Sequence, residues 1–195
     1  MAFEAMAFEL VAGHPALDLV NTLDWRFRDG GAEELLKTYA DLLRFTEQAK
    51  LLTPQQTRAL RRSAGEGTLE RCRELREALA DAFYGRGPSP ASRSTLERYF
   101  QAARARQRLN WKQSPRLEWT WPGHPVDPDL PLWALAMSAS HLMTSEAVHR
   151  VLACCNPECR WLFLDTSKNH TRRWCDMKLC GNRMKARRFK AQRRR

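Results

Sequence analysis

The chain has 195 residues, enough for one domain or two small ones, and its 43% apolar content supplies a core and excludes wholesale disorder. The net charge of +11 is local: residues 1–149 hold 19 basic and 19 acidic side chains, whereas residues 150–195 hold 14 and 3. The longest apolar stretch, 130–143, is broken by Ser138, Ser140 and His141 and is shorter than a membrane span, and Met-Ala-Phe-Glu lacks the basic start of a secretory leader, so a cytoplasmic protein with reduced thiols and no membrane partner is expected.

Gly13-His14-Pro15 breaks the chain, and Leu17, Leu19 and Val20 then begin a short helix. His14, Asp18, Asn21 and Trp25, with Asp24 and Arg26, form a polar cluster beside this apolar turn. The cluster has two readings: a pocket for a small-molecule effector, or caps and partners for buried backbone groups. Residues 32–52 carry Leu35, Leu36, Tyr39, Leu42, Leu43 and Ala49 at helical spacing, and Thr53-Pro54 opens another helix with Thr53 as N-cap.

Gly65-Glu66-Gly67 reads as a loop, followed by a helical stripe of Leu69, Cys72, Leu75, Leu79 and Phe83 that ends at Gly85 and Gly87-Pro88. Cys72 on that stripe is a core residue. A further helix is expected over 91–108. Leu109, Trp111, Leu117, Trp119 and Trp121 then alternate with polar residues, which predicts a β-hairpin with one buried face. After an irregular 123–129, residues 130–143 form the most apolar helix. The charge balance changes between Thr144 and Arg150. This divides the chain into residues 1–146, a mostly helical domain for sensing or dimerisation, and residues 147–195, a basic module.

Within that module Cys154 and Cys159 form one C-x4-C pair and Cys175 and Cys180 another, with fifteen residues between the pairs. Thiolates in two short-spaced pairs suit one tetrahedral Zn²⁺, since each pair wraps two corners from a tight turn. Cys155 offers a C-x3-C alternative to Cys154. Val148–Ala153 and Trp161–Leu164 look like strands joined at Asn156-Pro157, and Cys180 is expected at the start of the last helix. A shell of four thiolates leaves no position for substrate, so the zinc is structural. His170 could replace a thiolate or act as in a nuclease, but it has no evident carboxylate partner. No Ser/His/Asp set, phosphate-cradling glycine loop or paired carboxylate stands out, so an enzyme is not expected.

On a helical wheel from Cys180, Met184, Arg187, Arg188 and Ala191 fall on the metal's side. Asn182, Lys185, Ala186, Phe189 and Arg193 lie opposite, flanked by Arg183 and Lys190. Basic residues around most of the circumference suit a helix lying across a groove of nucleic acid. The candidate DNA contacts are Arg172, Arg173, Asn182, Arg183, Lys185, Arg187, Arg188 and Lys190. RNA or ribosome binding draws on the same charges.

The run from Cys154 to Arg188 resembles the CGNR zinc finger family. It has the spaced cysteines, Phe163-Leu-Asp165-Thr-Ser167, Arg172-Arg173-Trp174-Cys175 and the tetrad Cys180-Gly181-Asn182-Arg183. Gly13-His14-Pro15-Ala-Leu17-Asp18-Leu-Val-Asn21-Thr22 resembles the ABATE domain that usually precedes this finger. Proteins of this pairing are regarded as candidate stress-induced bacterial transcription regulators. The resemblance therefore implies one structural zinc and a DNA partner rather than catalysis. The expected fold is mainly α with small β-hairpin elements: a helical N-terminal domain, able to form a homodimer, and a C-terminal treble-clef-like zinc finger.

Overall fold

The structure, a computed structural model, describes residues 7–63, 65–85, 87–111, 117–122 and 127–192. Its helices are α1 (Pro15–Asn21), α2 (Tyr39–Gln48), α3 (Pro54–Leu60), α4 (Glu66–Tyr84), α5 (Pro90–Arg106), α6 (Leu130–Met143) and α7 (Asn182–Gln192). Three antiparallel pairs complete it: β1 (Leu23–Asp24) with β2 (Glu33–Glu34), β3 (Arg108–Asn110) with β4 (Glu118–Thr120), and β5 (Val151–Ala153) with β6 (Leu162–Leu164). The architecture is thus mainly α with small hairpins.

The chain forms two compact units that do not follow its linear order. Among the described residues, one comprises residues 7–8 and Leu36–His141; the other joins Glu9–Leu35 to residues 142–192. The charge boundary near residue 146 marks where the basic module begins. Packing assigns a 27-residue N-terminal segment, 9–35, to that module as well.

In the first unit, α2 begins later than the apolar spacing of 32–52 predicts. Thr38 caps it by accepting from the Asp41 N–H, and the Asp41 carboxylate accepts from the Thr38 N–H in return. Leu35 and Leu36 therefore precede the helix, and Glu33–Glu34 pair as a strand instead. Thr53 and Gln56 make the same reciprocal cap on α3. The stripe of α4 buries Leu69, Cys72, Leu75 and Leu79, and Leu96, Tyr99 and Ala103 of α5 are buried with it. Glu74 ties the two helices by accepting from the Tyr99 hydroxyl and, at 2.6 Å, from Arg98. Gly65 is required at the start of α4, because a Cβ there would run into the Tyr39 ring.

The hairpin β3–β4 forms where expected, with Leu109 opposite Trp119. Its apolar side is not buried, however. Leu109, Trp111, Leu117 and Trp119 are 44%, 79%, 41% and 48% exposed. Trp121, at the end of the same face, is half-buried; alternation specifies that these apolar side chains share a face, but not that anything in the same chain covers it. The parts of the expected connections at 112–116 and 123–126 lie outside the described residues.

In the second unit, α1 packs on β6. Ala16, Leu17, Leu19 and Val20 of α1 are buried, as are Trp161, Leu162 and Phe163 around β6. Residues 146–150, expected to begin a strand, form a 3₁₀ turn, and β5 starts only at Val151.

Candidate metal centre

Each half of the cysteine set is held by a turn whose polar groups are internally satisfied. Cys154 extends the β5–β6 ladder by donating its N–H to the Trp161 carbonyl at 2.8 Å. The chain then turns at Asn156, whose carbonyl accepts from the Cys159 and Arg160 N–H groups at 3.1 and 3.0 Å. Arg160 takes a left-handed φ of 55° to complete this knuckle. The buried Asn156 amide points across the site, 3.5 Å from the Cys180 sulfur, where an N–H donor favours the thiolate.

The second half is built by two carboxylates and one arginine. Asp165 accepts from Ser167 N–H and hydroxyl at 2.9 and 2.6 Å and from the Arg172 N–H at 3.1 Å, which folds the 165–172 loop back on itself. The Ser167 hydroxyl, with the N–H groups of Ser167 and Arg172, keeps the Asp165 carboxyl below its usual range. Arg172 donates to the carbonyls of Trp174 (2.9 Å), Leu164 (3.4 Å), Val11 (3.2 Å) and Cys175, and its guanidinium lies 4.5 Å from the Phe163 ring centroid. Asp176 then caps the π-type turn Met177–Gly181 by accepting from Lys178 and Leu179 N–H. That turn carries Cys180 and leads directly into α7.

These turns bring Cys154, Cys159, Cys175 and Cys180 together, all buried, with their sulfurs within 4.8 Å of one another. Cys159 and Cys175 sulfurs are 3.7 Å apart. A Zn²⁺ with Zn–S bonds near 2.3 Å needs tetrahedral edges of about 3.8 Å, whereas a disulfide needs about 2.0 Å. All six cysteines are free thiols, and Cys155 is exposed outside the cluster. The choice of Cys154 over Cys155 follows from the strand alternation: consecutive residues point to opposite sides.

Four sulfurs at this spacing cannot all ionise side by side without a cation between them. The thiols of Cys159 and Cys175 donate to Cys154, which pulls the Cys154 pKa well below the ordinary value. The same sharing pushes Cys159 and Cys175 up. A divalent ion would take the place of the shared protons, so the donor set fits one zinc, closed on all four sides and structural.

The N-terminal segment completes the site's support. Ala12 accepts from the Leu164 N–H at 2.8 Å along β6. Asn21 brackets Leu162, donating to its carbonyl at 3.0 Å and accepting from its N–H at 2.9 Å. Asp24 accepts from the Trp161 indole at 2.8 Å, and burial raises its carboxyl above the ordinary range. His14 caps α1 through the Ala16 N–H, and Asp18 accepts from Ala12 N–H at 3.0 Å. Trp25, at φ 52°, has Arg183 5.6 Å from its ring centroid. Of the residues read as a candidate effector pocket, Asn21 thus brackets β6, His14 and Asp18 satisfy backbone N–H groups beside α1, and Trp25 lies beside Arg183 of α7.

Of the candidate nucleic-acid contacts, Arg173, Asn182, Arg183, Lys185, Arg187 and Lys190 are exposed. Arg187 pairs with Glu158 of the first knuckle through both carboxylate oxygens, at 3.1 and 2.9 Å. Arg172 is the correction: its donors all point to carbonyls, so it positions the loop instead of reaching outward. The side chain of Arg188 lies outside the described ones. Asn156, Asp165 and Glu158 complete the site although the cysteine spacing did not mark them. An asparagine before proline within a C-x4-C turn was the available signal for Asn156.

Residues 13–146 match the ABATE family model, described as "Putative stress-induced transcription regulator". Residues 150–193 match the CGNR zinc finger. No curated protein matches the chain.

Proposed function

This chain belongs to the ABATE family and ends in a CGNR zinc finger, and from that premise we propose that it regulates transcription by docking α7 on duplex DNA. One observation carries the reading. Asn182, Arg183, Lys185, Arg187 and Lys190 are exposed on a helix that begins two residues after a zinc ligand. Cys180, by holding the ion with the other three cysteines, would fix the direction of the helix, and the Arg187–Glu158 pair sets its roll against the knuckle. Phosphates then meet a rigid cationic rod with little ordering cost on binding.

Asn182 and Arg183 lie at the N-terminal end of α7, where side chains of a helix inserted in the major groove reach base edges. Asn suits adenine and Arg suits guanine. Arg173, on the loop before Cys175, reaches an adjacent phosphate. Four cysteine ligands would leave a bound zinc no open position, so this reading is non-catalytic, and His170 is an exposed loop residue with φ 48°.

RNA is the second reading, because phosphate attraction does not distinguish the two polymers. Selection from a random duplex pool, followed by competition with structured RNA at physiological salt, separates them. Enrichment of a duplex motif that outcompetes RNA is the expected result; an unenriched pool or an RNA preference defeats the proposal.

A further inference from the structure

Beside the second cysteine pair lies an open cleft of about 460 Å³, lined by Thr171, Arg172, Arg173, Trp174, Asp176 and Met177. That volume is within the roughly 300–1,000 Å³ of small-molecule sites. Its walls are fixed by contacts that also build the metal centre. Arg172 donates to the Trp174 and Cys175 carbonyls, and Asp176 accepts from the Lys178 and Leu179 N–H groups through Oδ1. A Cβ on Gly181 would meet the Met177 sulfur at 2.6 Å and Cδ1 of Trp174 at 3.4 Å, so glycine there lets both side chains pack as a wall. Met177 opens the π-type turn, a backbone form concentrated at functional sites.

We propose that this cleft binds a nucleotide, with the base against Trp174 and Met177 and the phosphate on Arg173 and Thr171. Met177 is 47% exposed and Trp174 half-buried, so an aromatic ring and a polarisable thioether both offer uncovered surface. Such a pair suits the π-face of any base. The Arg173 guanidinium lies 5.8 Å from the Trp174 ring centroid, which puts a cation beside whatever stacks on that ring. Arg172 adds charge from behind, since its bonds go to carbonyls and not to a carboxylate. Asp176 is the acid in this lining. With Oδ1 engaged by backbone N–H groups, Oδ2 suits an amino group on the base edge.

The inference does not require α7 to dock on duplex DNA. A free nucleotide and an unpaired nucleotide of a strand present the same base and phosphate to these walls.

The test is an NMR titration of the full-length, zinc-loaded protein with AMP, adenosine and inorganic phosphate as probes. AMP should bind with a sub-millimolar dissociation constant. Adenosine lacks the charge-assisted bonds to Arg173 and phosphate lacks the stacked base, so each should bind about tenfold more weakly. Arg173→Gln should bring AMP to the level of adenosine. Met177→Ala should weaken AMP and adenosine alike and leave phosphate unchanged. Lys185→Gln, which removes a charge from α7, should leave all three unchanged, with zinc content equal in every variant. A single-stranded oligonucleotide then separates the sources. Displacement of AMP identifies a nucleotide of a strand as the occupant, and AMP binding undisturbed by the strand identifies a free nucleotide. No shift at several millimolar AMP, or an equal response to Arg173→Gln and Lys185→Gln, overturns the proposal. None of these probes is a duplex, so the result is independent of the DNA reading.

Discussion

Asn21 does with one amide what a neighbouring strand would otherwise do. Its oxygen and nitrogen satisfy both backbone groups of Leu162, at 2.9 and 3.0 Å, in a buried setting. Asn21→Leu keeps the volume and strands an N–H and a carbonyl, costing about 2–4 kcal/mol. Thermal unfolding of the zinc-loaded protein checks this, and an unchanged midpoint would show that water replaces the amide. Asp18 behaves in the opposite sense. Burial lifts its pKa from 3.8 to about 6, against the lowering effect of the Ala12 N–H. Between those values the folded chain holds more protons than the unfolded one, so Asp18 lowers stability as pH rises from about 4 to about 6 and the loss persists above. Asp18→Asn retains an oxygen for Ala12 and removes that loss. With zinc saturating, the variant should gain about 1–3 kcal/mol over wild type at pH 7 relative to pH 4. A difference that does not vary with pH would count against a costly buried carboxylate.

At the scale of elements, the metal's energy is concentrated in one unit. A structural zinc contributes roughly 10–16 kcal/mol to a small module. Here it organises β5–β6, the 165–175 loop and the start of α7. Helices α2–α5 lie in the other unit, whose buried residues include no zinc ligand. Removal of zinc by a strong chelator should abolish the near-ultraviolet signal of Trp161 and Trp174 while most far-ultraviolet helical signal remains. Loss of both in one step would mean that the units unfold together. Elements were legible where a local rule decides them: the stripe of α4 and the cap at Thr53 needed only nearest neighbours along the chain. The start of α2 was not, because Leu35 and Leu36 imitate helical spacing while the Thr38–Asp41 box sets the boundary. The hairpin was legible as a hairpin, but its exposure was not, since alternation does not say which face meets the core.

For the whole molecule, charge location predicts the binding thermodynamics. If α7 and Arg173 meet about six phosphates, log affinity for duplex DNA falls with log salt at a slope near −5. Lys185→Glu should flatten the slope by about 1, whereas Arg93→Glu, exposed in the helical unit, should leave it unchanged. Equal effects from both would reduce the interaction to attraction by net charge. Among the described residues no helix is long and apolar enough to cross a membrane.

The amino-acid sequence alone determined that four cysteines would share a metal ion and that the positive charge would sit beside them. Ligand spacing and side-chain charge are properties of the chain, readable without coordinates. It also marked the polar cluster of His14, Asp18, Asn21, Asp24, Trp25 and Arg26, with two readings left open: an effector pocket, or caps and partners for buried backbone groups. Only tertiary structure decided that Val11, Ala12, Asn21 and Asp24 serve the metal module some 140 residues away, and that Arg172 turns inward. Those roles depend on which backbone groups become buried next to one another, and no local pattern encodes that.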